Sequence, residues 1–130
     1  MLLSSYIYIP VSDLEEAAGW YEKNLEFKLI YKDDLYFDMR TDNGVKIMLI
    51  PREKNITSQM QYSTGEQPAY GFCVDEFDVM KENLEANGVE IGEVFDYCPI
   101  NTYNKGTRLQ NMYVLRYLQI RTRLLFLLIV

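Results

Sequence analysis

The chain has 130 residues and a mass of 15.3 kDa, enough for one domain or for two very small units sharing a core. With 48% hydrophobic and 25% charged residues it is composed as a globular protein, not a disordered one. A net charge of −6 argues against nucleic acid or an anionic membrane as partner and favours a cationic ligand. The absence of histidine excludes Ser-His-Asp and Cys-His catalysis and every His-ligated metal site.

In chain order, residues 5–11 (SYIYIPV) are β-branched and aromatic and predict a strand. Ser12 and Glu15 form a capping-box pattern that opens a helix. Leu14, Ala17, Ala18, Tyr21 and Leu25 follow as one apolar stripe, and the helix should end near Asn24. Three strands are expected at 27–31, 35–40 and 45–50. The first turn falls at Lys32, Asp33 and Asp34; the second carries Asn43-Gly44, a tight-hairpin signal. Residues 51–68 are polar and aperiodic and read as a loop. A strand at 69–74, a helix beginning at Asp75 and stopping at Asn87-Gly88, and a strand at 91–97 come next.

The second set repeats the first. A shift of 63 residues carries Val11 onto Val74, Leu14 onto Phe77, Ala17 onto Met80, Tyr21 onto Leu84 and Asn24 onto Asn87. This register implies an internal duplication of a strand-helix-strand-strand-strand unit. The expected organisation is a single domain over 1–130. It has a first module at about 5–51, a linker at 52–68 and a second module from about 69. The second module's C-terminus departs from the pattern from about residue 98.

That departure is also one of charge. Residues 97–130 hold five basic residues (Lys105, Arg108, Arg116, Arg121, Arg123) and no acid, while residues 1–96 carry a net −11. Three readings compete for this segment. It is a divergent pair of strands or a helix over the sheet, with 124–130 long enough for one buried strand. It is a membrane segment, which Arg116, Arg121 and Arg123 and an apolar run of seven residues oppose. Or it is the product of a shifted reading frame. Gln119 to Thr122 can be encoded so that the neighbouring frame reads Asp-Pro-Asp.

Cys73 and Cys98 fit no zinc or redox spacing. Cys73 sits in a strand pattern and is expected to be buried; Cys98 follows a strand and is expected to be exposed. With no secretory h-region at Met1–Ser5, the expected location is the reducing cytoplasm.

The run from Tyr6 to Phe27, with Val11, Asp13, Leu14, Trp20, Tyr21, Leu25 and Phe27 in place and Glu26 where a Gly is usual, resembles the vicinal oxygen chelate superfamily. This is the glyoxalase, bleomycin-resistance and extradiol-dioxygenase group. Residues 70–75 and 84–91 resemble its second module. The resemblance implies an α+β fold of two βαβββ modules that form a curved mixed sheet around a cleft. It puts the metal-ligand positions on Tyr6, Ala69 and a residue near Met48. These side chains cannot supply the hard N/O shell of a metal enzyme, so no metal and no cofactor are expected.

What remains is a metal-free pocket. The candidate ligand-binding residues are Tyr6, Tyr8, Phe37, Met39, Met48 and Ala69, with aromatic faces and soft sulfur for an aromatic or cationic small molecule. The competing reading of Tyr8, Phe37, Met39 and Met48 is plain core. Trp20 is assigned to packing or a subunit contact, and Asp33, Asp34 and Asp38 to a solvated turn. The resemblance implies a homodimer that sequesters a small molecule such as a cationic antibiotic. The alternatives are a lyase or isomerase without the usual metal ligands, with Tyr6 or a carboxylate as acid and base, and a non-catalytic interaction module.

Overall fold

The computed structural model describes residues 1–54, 56, 59–97, 115–120 and 125–129. The chain divides into two compact units, Met1–Ser58 and Gln59–Val130.

The first unit is built from β1 (Ile7–Val11), α1 (Leu14–Leu25), β2 (Lys28–Lys32), β3 (Phe37–Arg40) and β4 (Lys46–Pro51). The strands form one mixed sheet in the order β1-β4-β3-β2. β1 runs parallel to β4, and the two β3 pairings are antiparallel. The registers Ile9↔Leu49↔Phe37 and Ile7↔Ile47↔Met39 put these residues on one face. α1 packs on that face with Ala17, Ala18, Tyr21 and Leu25. Met39, Ile47 and Leu49 lose all solvent contact there, each such burial contributing about 1.5–3 kcal/mol. Tyr21 joins the cluster edge-to-face with Phe27 at 5.7 Å.

α1 is capped by Asp13, not Ser12. Asp13 holds extended backbone, and its Oδ1 accepts from the Glu16 amide at 2.8 Å. Asp and Ser are comparable caps, but the apolar stripe places the first helical residue at Leu14, which makes Asp13 the adjoining position. At the other end Glu26 adopts φ 58°, ψ 25°, and its N–H reaches the Tyr21 carbonyl. The usual Gly has been replaced at a left-handed position.

The Asn43-Gly44 turn is longer than a two-residue hairpin. Arg40 and Lys46 are the last paired residues. Gly44 N–H donates to the Thr41 carbonyl and Thr41 N–H to the Val45 carbonyl, each at 3.0 Å. Only Gly44 has positive φ in this turn, as in a type I turn closed by a left-handed residue.

The second unit opens with a hairpin in place of the expected loop: β5 (Gln59–Tyr62) and β6 (Gly65–Pro68). β7 (Gly71–Cys73), α2 (Phe77–Ala86), β8 (Ile91–Tyr97), β9 (Leu115–Ile120) and β10 (Leu125–Ile129) follow. Their sheet order, β7-β10-β9-β8, repeats the order of the first sheet, with β7 parallel to β10. Both helices begin 63 residues apart, at Leu14 and Phe77. The closing bonds, Glu26 N–H to Tyr21 and Val89 N–H to Leu84, keep the same spacing. α2 ends in a Schellman motif: Gly88 at φ 78° donates to Glu85 while Val89 donates to Leu84.

β9 and β10 follow the strand reading of the basic C-terminal segment. Cys98, and residues 121 and 122 of the segment that the frame argument concerns, lie outside the described residues. Among the described residues, no helix is long and apolar enough to cross a membrane. Cys73 is exposed, contrary to expectation. β7 alternates exposed, buried, exposed, and Phe72 takes the inward position.

Candidate functional site

Strand parity decides which candidate residues share a surface. Tyr8 pairs with Met48, and Met48 with Asp38. Partners across a ladder point to the same side, so Tyr8, Met48 and Asp38 face away from α1. Phe37 and Met39 point the other way and are buried under the helix. They belong to the core and not to a wall with Tyr6 and Tyr8. Ala69 is exposed in the bend before β7, in the second unit.

On the face opposite α1, Tyr8 is 63% exposed and Met48 is half-buried beside it. One row further along lie Tyr6, Arg40 and Lys46. Arg40 forms a bidentate pair with Asp38: Nε donates to Oδ1 at 3.2 Å and Nη2 to Oδ2 at 2.9 Å. Nη2 also donates to the Tyr6 hydroxyl at 2.8 Å, and that hydroxyl donates on to Asp38 Oδ2 at 3.4 Å. The guanidinium carbon lies 5.9 Å and Lys46 Nζ 5.4 Å from the centroid of the Tyr6 ring. Lys46 Nζ donates to Ser4 Oγ at 2.7 Å.

Asp38 is only 8% exposed, so its charge is tolerable because Arg40 neutralises it with two directed bonds. The Asp38 hydrogen bond raises the Arg40 pKa against the opposing effect of desolvation, and the Asp38 charge and then Tyr6 add to the rise. Arg40 is therefore a permanent cation. Asp38 was grouped by sequence with Asp33 and Asp34 as a solvated turn. Asp33 does hold the turn, accepting from the Leu35 and Tyr36 amides at 2.7 and 3.0 Å. Asp38 instead sits in β3 as the acid of a Tyr-Asp-Arg cluster. Its signal was available: Asp38 and Arg40 flank the buried Met39 and so share the opposite face.

These residues do not fit a divalent metal. Tyr6 and Met48 stand at the ligand positions the resemblance indicated. Asp38, the carboxylate of this cluster among the described residues, is occupied by Arg40, whose charge repels a cation. Among the described residues, no group of three metal-ligating side chains converges.

An open depression of about 590 Å³ lies elsewhere on this unit, at the N-terminus of α1 between Asp13, Glu15, Lys32, Asp33, Phe37 and Pro51. Its polar groups are largely committed to one another. Asp13 caps the helix, Asp33 caps its turn, and Lys32 bridges to Glu15 at 2.8 Å while lying 5.6 Å from the Phe37 ring centroid. Trp20 is half-buried on α1, edge-to-face with Tyr21 at 5.2 Å.

A helix on one face of a four-stranded mixed sheet, repeated in the same strand order, defines a paired βαβββ protein. The sequence profile of the Glyoxalase/Bleomycin resistance protein/Dioxygenase superfamily matches residues 4–99, and the chain belongs to that superfamily. Similar solved structures include an integron cassette protein from the mobile metagenome of the Halifax Harbour sewage outfall (TM-score 0.65, 17% identity, all of both chains). Another is TnmS3, an antibiotic binding protein from Streptomyces sp. CB03234 (TM-score 0.61, 13% identity, 99% of this chain and 96% of that one). A third is the bleomycin resistance determinant encoded on the transposon Tn5 (TM-score 0.56, 11% identity, 98% and 96%). At these identities the likeness is one of fold. No curated protein matches the sequence.

Proposed function

We propose that the chain is a metal-free small-molecule-binding protein whose ligand lies on the Tyr6–Tyr8–Met48 face of the first sheet. The observation that carries this reading is the pairing of an exposed aromatic and a thioether, Tyr8 and Met48, with a fixed polar cluster one row away. Exposed aromatic and sulfur groups bind flat apolar rings, and a cluster locked by its own hydrogen bonds orients them at little entropic cost. The names of two similar structures, an antibiotic binding protein and a bleomycin resistance determinant, support an antibiotic as the ligand class. The net charge of −6 favours cationic ligands on approach; the groups at the surface itself decide the contact.

The test is amide chemical-shift mapping of labelled, chelator-treated protein titrated with metal-free bleomycin and with naphthalene-type probes. Shifts concentrated at Tyr6, Tyr8, Met48 and their strand partners are expected. Shifts concentrated at Asp13, Lys32 and Asp33 would move the site to the depression beside α1 and overturn the assignment. A homodimer goes with this reading as an expectation of the resemblance, and light scattering checks it.

A further inference from the structure

Net charge and local charge disagree on this face. The whole chain is acidic, yet two cations flank Tyr6 and, among the described residues, the only carboxylate bonded to the cluster is spent on one of them. Arg40 uses Nε and Nη2 on Asp38 and Tyr6; its Nη1 has no hydrogen bond among the described residues. Lys46 forms no ion pair among the described residues, and its one hydrogen bond, to Ser4, leaves two ammonium protons unused. Both cations lie against the Tyr6 ring, and Arg40 is further anchored by its bonds to Asp38 and to the Tyr6 hydroxyl.

We infer that this row is an oxyanion subsite, and that the ligand is a planar aromatic acid whose carboxylate meets Lys46 Nζ and Arg40 Nη1 while its ring lies on Tyr8 and Met48. The dimensions agree. Tyr6 to Tyr8 is two residues of strand, about 6.6 Å, close to the separation of a carboxylate from the far ring of a naphthalene. The cluster also disfavours a cationic group at this point, because Asp38 is already neutralised and Lys46 would repel it. A ligand with positive charge elsewhere remains compatible with the acidic body. This inference rests on the proposed binding face and names the chemistry that face selects.

The experiment is calorimetric titration of wild type and Lys46→Gln with three probes of one shape: 2-naphthoate, 2-naphthamide and 2-naphthylmethylammonium. Lys46 is half-exposed at the start of β4, so its replacement is compatible with folding, which a melting curve checks. Wild type should bind naphthoate at least about tenfold more tightly than naphthamide, a difference of about 1.4 kcal/mol. In Lys46→Gln that preference should shrink severalfold, chiefly through weaker binding of naphthoate. Equal affinity for acid and amide in wild type, or tightest binding of the ammonium probe, would overturn the oxyanion subsite while leaving the aromatic face intact. Failure of all three probes to bind would overturn both.

Discussion

Replacing Glu26 by Gly should stabilise the protein. Glu26 ends α1 at φ 58°, the left-handed region, and among described residues it is the one non-glycine with positive φ. An L-residue there costs about 1–2 kcal/mol because Cβ crowds the following carbonyl. Glycine removes that cost but adds about 0.5–1 kcal/mol of unfolded-chain entropy. Glu26 is exposed, and its side chain has no hydrogen bond or ion pair among the described residues, so little else is lost. The net gain is about 0.5–1 kcal/mol, or roughly 2–4 °C in melting temperature for a chain of this size. Gly88→Ala is the reverse control. A Cβ at Gly88 meets nothing within 4 Å, but φ is 78°, so conformation alone should destabilise by about 1 kcal/mol. Both changes are read by thermal and urea unfolding. A Glu26→Gly variant that melts at or below wild type would refute the left-handed ending of α1.

Other expectations follow from the same geometry. Leu49→Ala, beneath α1 and fully buried, should cost about 2–5 kcal/mol. Met48→Ala, next in the strand but on the open face, should cost about 1 kcal/mol or less; urea unfolding of the two tests the parity of β4. Asp13→Ala should lose about 1 kcal/mol with the α1 cap, whereas Ser12→Ala should change little. The Leu35 and Tyr36 amides, and then the Tyr31 hydroxyl, lower the pKa of Asp33. A depressed folded value means that its stabilisation is present above the unfolded value of about 3.9 and is lost as pH falls through the folded value. Asp33→Asn should therefore flatten the acid side of the stability profile below about pH 4. Tyr31, raised by its hydrogen bond to Asp33, acts with the opposite sign and loses its contribution as pH rises above about 10.

Much of the fold was legible because burial imposes a period. The stripe from Leu14 to Leu25 named α1, and the 63-residue register aligned both helix starts. The β5–β6 hairpin was not legible. Its strands carry Gln59, Gln61, Glu66 and Gln67, and the alternation of Met60 and Tyr62 spans only four residues of β5, too short a run to stand out from a polar segment. The proposed site was legible only in part. Tyr6, Tyr8 and Met48 came from strand parity and the family resemblance. Phe37 and Met39 were misassigned, because parity within a strand says which residues share a face and not which face is open. That needs the inter-strand register, which puts Asp38 opposite Met48. Arg40 and Lys46, paired across β3 and β4, lie on the face away from the buried apolar side and so leave no apolar signal in the sequence.

The measurement that bears most directly on the central claim is the thermal shift of chelator-treated protein with metal-free bleomycin and aromatic acids, in wild type and Tyr8→Ala. A ligand present at about 100 times its Kd should stabilise wild type by about 2.7 kcal/mol. The account predicts a shift of several degrees without metal that largely disappears in Tyr8→Ala. An equal shift in the variant, or stabilisation that requires an added divalent metal, would contradict it.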